Sequence, residues 1–312
     1  MRLLPLALLG LAASAAEPRY ELTGTLAPPA PASVTLFGAT TPFQSSTLAS
    51  HGGRFRFRRL PAGTYTLAVL VRGRGEIRQT VEVGPGAADS RGRVTVRVAV
   101  SDAAVAAETF RRQHLVSARQ LSIPPRAWRE YWEAQKRLSQ RDTAGAIARL
   151  ERAVELAPQF ATAWNHLGTI AHQSRRHEQA ADYFRKALEQ EPDAYEPLVN
   201  LGGTLVTLRQ WEEALPYNRQ AVLRRPQDAL ANSQLGLNYF YLADLDRAVQ
   251  YLQEARRLDP AHFSHPQLTL AEIYRQRGDR KAAAAELEDF LRRHPDDPEA
   301  QHWRQVLARL RL

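Results

Sequence analysis

Residues 164–192 read WNHLGTIAHQSRRHEQAADYFRKALEQEP. Large apolar side chains stand at Trp164 and Leu167, with small residues at Gly168 and Ala171; Ala180, Phe184 and Ala187 follow at helical spacing before Pro192. That spacing turns one face of each of two consecutive helices toward a shared core. The proline is a stop, because it lacks an N–H and pushes the residue before it out of helical geometry. Prolines at 158, 192, 226, 260 and 295 are separated by 34, 34, 34 and 35 residues. A fixed period in this range marks a solenoid of stacked helical hairpins.

The copies agree in residue type as well as in spacing. Leu198, Leu201, Gly202, Leu205, Ala214, Asn218 and Ala221 precede Pro226, and Asn232, Leu235, Gly236, Tyr239, Ala248, Leu252 and Ala255 precede Pro260. A one-residue insertion near His262–His265 shifts the fifth copy to Leu270, Ala271, Tyr274, Ala283, Leu287 and Phe290. The first is worn, keeping Ala134, Ala146, Leu150 and Ala153. This array resembles the tetratricopeptide repeat family. The resemblance implies five repeats over residues 124–297, a capping helix over 298–312, and an all-α superhelix whose first helices line a concave side.

Residues 17–100 follow a different rule. Short alternating runs at Tyr20–Leu26, Ser33–Gly38, Arg54–Arg59, Thr64–Val71, Gly75–Val83 and Arg93–Val100 are separated by Gly and Pro, which predicts an all-β sandwich. In the stretch from Gly53 to Leu67, alternation sends Phe55 and Phe57 inward and Arg54, Arg56 and Arg58 outward together. Gly53, Phe55, Phe57, Pro61, Gly63, Tyr65 and Leu67 resemble the signature of the carboxypeptidase regulatory-like domain, a transthyretin-like sandwich. That resemblance implies a non-catalytic accessory module. The expected chain is therefore multidomain, with a linker over residues 101–123 joining sandwich to superhelix.

Charge is divided unevenly between the two. Of the 312 residues, 42 are Lys or Arg and 33 are Asp or Glu, a balance of +9. Residues 17–100 hold 11 arginines against 5 acids, or +6, while residues 124–312 hold 27 basic and 26 acidic residues, or +1. A row at Arg54, Arg56 and Arg58, with Arg72, Arg74, Arg93 and Arg97 as candidates for the same face, offers a site for an envelope polyanion. Solubilising charge on an edge or open sheet face accounts for the row without a partner and is the reading preferred for it. Nucleic acid is not expected as a partner, because the aromatic residues here fall at core parity and do not interleave with arginine.

Residues 1–16, MRLLPLALLGLAASAA, have the three-part layout of a secretory signal peptide with cleavage after Ala15 or Ala16. The expectation is a periplasmic or secreted protein that is not transmembrane once cleaved. With no cysteine in the chain, disulfides, thiolate nucleophiles, Fe–S clusters and Cys-ligated zinc are excluded. No HExxH, GxSxG, P-loop or GxGxxG motif is present, so neither an enzyme nor a cofactor is expected. His262 and His265, with His294 as a third candidate, form the one conceivable metal pair, and solvated histidine is the reading adopted.

The remaining candidates are surfaces for a protein or peptide partner. The repeat resemblance places Asn165, Thr169, His172, Glu196, Val199, Asn200, Gly203, Ser233, Gln234, Leu237, Phe240, Tyr241, Leu268, Glu272 and Arg275 on the concave side. The carboxylate clamp of chaperone-binding relatives needs Lys and Arg at several of these positions, and here they are Asn, Thr, Leu or Gln. Asparagine amides instead suit the N–H and C=O groups of an extended backbone, with Phe240 and Tyr241 covering apolar side chains. Trp128, Tyr131 and Trp132 form a further aromatic stripe on the first helix, either packed internally or open to a partner.

Overall fold

The computed structural model describes residues 18–72, 75–100 and 122–311. The signal-like segment 1–16, Arg74 and most of the linker lie outside the described residues. Seven strands come first: β1 (Tyr20–Ala27), β2 (Ala32–Gly38), β3 (Gln44–Ala49), β4 (Arg54–Leu60), β5 (Gly63–Val71), β6 (Gly75–Val83) and β7 (Arg93–Ala99). They form a three-stranded sheet in the order β4-β1-β7 packed on a four-stranded sheet in the order β3-β2-β5-β6. Leu22, Val34, Leu36, Phe55, Phe57, Tyr65, Leu67, Val69 and Val98 fill the space between the sheets. Both Phe55 and Phe57 thus point inward, and Arg54, Arg56 and Arg58 outward, as the alternation requires. Strand β3 is additional to the six runs read from sequence. Its residues QSSTLA carry no apolar alternation, and it is held by full register against β2 from Ala32–Ala49 to Phe37–Gln44.

Eleven helices follow among the described residues. The five hairpins are α1 (Pro125–Ser139) with α2 (Thr143–Leu156), α3 (Ala161–Gln173) with α4 (His177–Gln190), α5 (Tyr195–Thr207) with α6 (Trp211–Arg224), α7 (Ala229–Tyr241) with α8 (Leu245–Leu258), and α9 (Pro266–Gln276) with α10 (Arg280–Arg293). Helix α11 (Ala300–Leu310) packs its Leu307 and Trp303 on the last hairpin. Every second helix stops two residues before its proline. The intervening Ala157, Glu191, Arg225, Asp259 and His294 all have φ between −149° and −122°, the geometry a following proline imposes.

The hairpins close where the small residues stand. A Cβ on Gly168 would lie 2.5 Å from the ring of Phe184, so only glycine lets α3 approach α4. At the turn inside each hairpin the backbone enters the left-handed region, at Arg141, Arg175, Arg209, Ala243 and Gly278 with φ between 59° and 76°. This residue ends the first helix of each pair, a position that favours glycine, yet four of the five copies place a side chain there. The aromatic stripe of the first repeat is mostly internal: Trp128 and Tyr131 pack on Phe160 at ring distances of 4.6 and 5.2 Å, while Trp132 is 61% exposed.

Candidate functional site

The outer face of the four-stranded sheet is turned toward the solenoid, so the sandwich sits against the concave side. Between them lies a chamber of about 750 Å³, walled on one side by Phe37, Gln44, Thr66, Arg78 and Thr80 and on the other by Asn165, Thr169, Glu196, Asn200, Asp259 and Phe263. Strand β6 is an edge strand, with unpaired backbone groups on its outer side. The solenoid meets this edge and the turn after it at three points. The Thr80 N–H donates to Asp259 Oδ2 at 2.8 Å, the Phe263 N–H donates to Thr80 Oγ1 at 3.3 Å, and the Gly86 N–H donates to Asp296 Oδ2 at 2.7 Å. A Cβ at residue 86 would stand 2.4 Å from that carboxylate, so the close approach needs glycine.

Side chains on β6 extend the same series. Arg78 pairs with Glu76 of its own strand and reaches Glu196 Oε1 at 3.7 Å. Arg225 donates to Glu196 Oε1 at 2.9 Å and lies over the Tyr195 ring at 4.0 Å. Desolvation alone would raise the Glu196 carboxyl, but Arg225 and Arg78 outweigh it and hold the pKa below its usual value. The Arg78 guanidinium loses solvent yet is held fully charged by Glu76, Asp228 and Glu196. Further along, Glu82 lies 3.6 Å from His294 Nδ1.

A second line of contact runs from the early repeats. Gln173 Nε2 donates to the Gly38 carbonyl at 2.9 Å. Arg141, at the left-handed turn of the first hairpin, stacks on Phe43 at 4.5 Å and donates to Tyr65 Oη at 3.2 Å. The sandwich therefore touches the first, second, third and fifth repeats and the Asp259–Phe263 connection between the fourth and fifth.

Four of the groove residues read from sequence line the chamber: Asn165, Thr169, Glu196 and Asn200. Asn200 Nδ2 donates to Asn165 Oδ1 at 3.1 Å, so the amides form a ladder across two repeats. His172, Gln234, Leu237, Phe240 and Tyr241 are placed elsewhere. His172 Nδ1 faces Thr204 Oγ1 at 3.0 Å, and its pKa is pushed down to about 4 by burial and then by His177. Gln234 packs on Gly203, a Cβ on which would come within 2.6 Å of the amide. Leu237 packs on the apolar cluster of Ala171, Phe184, Leu201 and Leu205, and Phe240 on that of Leu235, Tyr239 and Leu252. Tyr241 stacks on Trp211 at 5.3 Å. The chamber residues that repeat position alone does not reveal are Arg78, Thr80, Asp259 and Phe263, because each belongs to the junction between two units.

His262, His265 and His294 do gather at this junction. The His265 and His294 rings are 4.4 Å apart, and His262 Nδ1 faces Ser264 Oγ at 2.6 Å. Burial is the main cause that lowers His262 and holds His265 at about 4, with the neighbouring histidines adding to it. Among the described residues no group of three or more His, Asp or Glu side chains is placed to hold a metal ion. None of the described helices is long and apolar enough to cross a membrane.

On the sandwich's opposite side, register settles which arginines share a face. Arg54 and Arg97 flank Thr25, Arg56 and Thr95 flank Thr23, and Arg93 stands beside Glu21. A register shift between Tyr20 and Leu22 sets Arg58 and Arg59 together opposite Glu21, a bulge with Arg59 at φ 58°. Arg93 and Arg97 thus join the row. Arg72 does not, since it follows β5 in the other sheet.

A sheet sandwich seated on an array of helical hairpins defines a two-part helical-repeat protein. The chain belongs to the tetratricopeptide repeat family: models of that repeat match residues 131–196, 171–234 and 240–310, and a carboxypeptidase regulatory-like domain matches residues 22–99. Tetratricopeptide proteins bind protein partners. The chain is 31% identical over 113 residues to the human cell division cycle protein 16 homolog, covering 33% of this chain but only 18% of that protein. Among solved structures, PilW, described as a widely conserved type IV pilus biogenesis factor, aligns over 60% of this chain and 86% of its own at a TM-score of 0.54 and 21% identity. MamA from Desulfovibrio magneticus RS-1 aligns over 57% of this chain and 99% of its own, at 0.50 and 21%. At these identities the structural likeness concerns the fold.

Proposed function

We propose that this protein is a non-catalytic interaction scaffold that holds a short extended segment of a partner protein in the chamber between sheet and repeats. The observation that carries this reading is the treatment of β6. The solenoid already grips one extended strand through the Thr80 backbone N–H, using Asp259, and through alternate side chains, using Glu196 and His294, with Asp296 holding the turn that follows. The Asn165–Asn200 ladder gives the facing wall the same capacity, since each amide offers both donor and acceptor.

The test is selection of short peptides on the full chain, followed by affinity measurement with Asn165→Leu/Asn200→Leu. Loss of more than about tenfold is expected when two backbone hydrogen bonds are removed. Selected peptides that bind the double variant as well as the parent chain would place the site elsewhere. We further assign the protein to the periplasm or the extracellular medium, on the layout of residues 1–16. Mass measurement of the mature chain should find it beginning at Ala16 or Glu17.

The outer face of β4, β1 and β7 supports a second reading, attachment to an anionic component of the cell envelope. The favouring observation is pairing. Most solenoid arginines have a carboxylate partner, whereas Arg54, Arg56 and Arg97 have none among the described residues.

A further inference from the structure

We infer that the arginine face of the sandwich is a docking surface for an anionic lipid bilayer, an assignment that rests on the second reading above and names its ligand. The face is an array in two dimensions. On β4 stand Arg54, Arg56 and Arg58, with Arg59 beside the bulge; on β7 stand Arg93 and Arg97; between them β1 presents Thr25, Thr23 and Glu21. Alternate residues along a strand are about 7 Å apart, and strands two apart are about 10 Å apart. Six guanidinium groups and two carboxylates, Glu21 and the Asp89 beside Arg93, a balance of +4, therefore cover a patch of about 10 by 14 Å.

Composition explains the number of arginines but not this distribution. Arg58 and Arg93 have acidic neighbours in Glu21 and Asp89, at 3.5 and 3.2 Å, while Arg54, Arg56 and Arg97 stand without a counter-ion among the described residues. Like charges held this close repel one another unless an anionic surface meets them. Guanidinium forks recognise phosphate oxygens in two-point fashion, and the threonine hydroxyls of β1 and β7 add donors in the same plane.

The shape favours a bilayer over a linear polymer. Pyrimidine and purine bases need aromatic stacking platforms, and none stands on this face, where the column between the arginines is threonine. The exposed large hydrophobic residues Leu48, Trp132, Leu223 and Tyr241 all lie outside the three-stranded sheet, so binding is peripheral and electrostatic, without insertion. Because the other sheet faces the repeats, the sandwich seats on the lipid with the solenoid directed away from it.

The experiment is sedimentation of the full chain with phosphatidylcholine vesicles, with and without phosphatidylglycerol. Binding is expected only with the anionic lipid, and it should fall steeply as salt shortens the Debye length. Arg54→Ser/Arg56→Ser/Arg97→Ser should weaken partitioning about 100-fold, from about fivefold for each arginine at a bilayer surface. The control removes equal charge elsewhere: Arg126→Ser/Arg129→Ser/Arg219→Ser, at exposed solenoid arginines, should leave binding within about twofold. The triple lysine variant at 54, 56 and 97 should retain most of it, which separates charge loss from misfolding. Equal loss in both serine variants would overturn the assignment, because net charge alone would then govern binding. Capture by a sulfated polysaccharide with no vesicle binding would overturn the lipid assignment and leave the attachment reading intact. Binding to neither would end both.

Discussion

The two outer faces of the sandwich are built by one rule and meet opposite surroundings. On both, strand alternation turns polar side chains away from the core. On the β6 side the outward groups have solenoid partners: Arg78 has Glu196, Thr80 has Asp259 and Phe263, and Glu82 has His294. On the β4 side Arg54 and Arg56 have none among the described residues. Alternation thus fixes which residues face outward, and the fold of the rest of the chain decides whether outward means solvent. Substitutions on the two faces should therefore differ in kind, with stability at stake on one and attachment on the other.

The largest contrast is expected at Asp259. Asp259→Ala leaves the buried Thr80 N–H without its acceptor, at a cost of about 1–3 kcal/mol to sandwich docking. Faster amide exchange at Thr80 and a lower thermal midpoint are the readouts. The matched change on the free face, Arg56→Gln, should alter stability by no more than about 0.5 kcal/mol. Equal destabilisation by the two would mean that the junction contributes nothing beyond ordinary surface. Gly86→Val tests the same junction through shape, since its Cβ would meet the Asp296 carboxylate. The expected cost is about 1–3 kcal/mol or displacement of the turn, seen as exchange confined to residues around 86.

Acid should act on the buried histidines of the solenoid before it acts on the free face. His166, His172 and His265 have folded pKa values of about 4, below the ordinary 6.5, and burial is the leading cause for each. Between those values the unfolded chain binds more protons than the folded one, so stability rises with pH across that window. Their contribution is complete above about pH 6.5 and is lost as the pH falls toward about 4. The thermal midpoint should be lower at about pH 5 than at about pH 7.5, and His166→Gln should flatten the slope. A midpoint independent of pH across that range would show that these rings are not held neutral.

How much of this was legible follows from the distance over which each feature is determined. The five prolines, the small residues at hairpin contacts and the Phe55–Phe57 alternation are local, and the structure reproduces what they dictate. Strand β3 was not legible because QSSTLA has no apolar period and is held by β2. The docking of the sandwich was not legible either, because its bonds join residues as far apart as Thr80 and Asp259. In the candidate site the division is the same. Asn165, Thr169 and Asn200 follow from their place in a repeat, while Arg78 and Phe263 acquire meaning only when the two units meet. Leu237 and Phe240 occupy concave positions in the repeat pattern, yet adjacent helices partly cover them.

The smallest expected effect separates local geometry from junction chemistry at a single kind of position. Arg141 and Arg175 both close a hairpin with left-handed backbone, at φ 62° and 59°. Relief of that strain should make Arg175→Gly stabilising by up to about 1 kcal/mol, because the Cβ penalty disappears at an exposed site. Arg141→Gly gains the same relief but loses the stack on Phe43 and the bond to Tyr65 Oη, so it should come out neutral or destabilising. Thermal denaturation of the two variants side by side measures the difference, which is the worth of the arginine's contact with the sandwich. If both variants gained stability equally, the Arg141 contact would add nothing to docking, and the junction would rest on the β6 edge, the Gly86 turn and the Gln173–Gly38 bond.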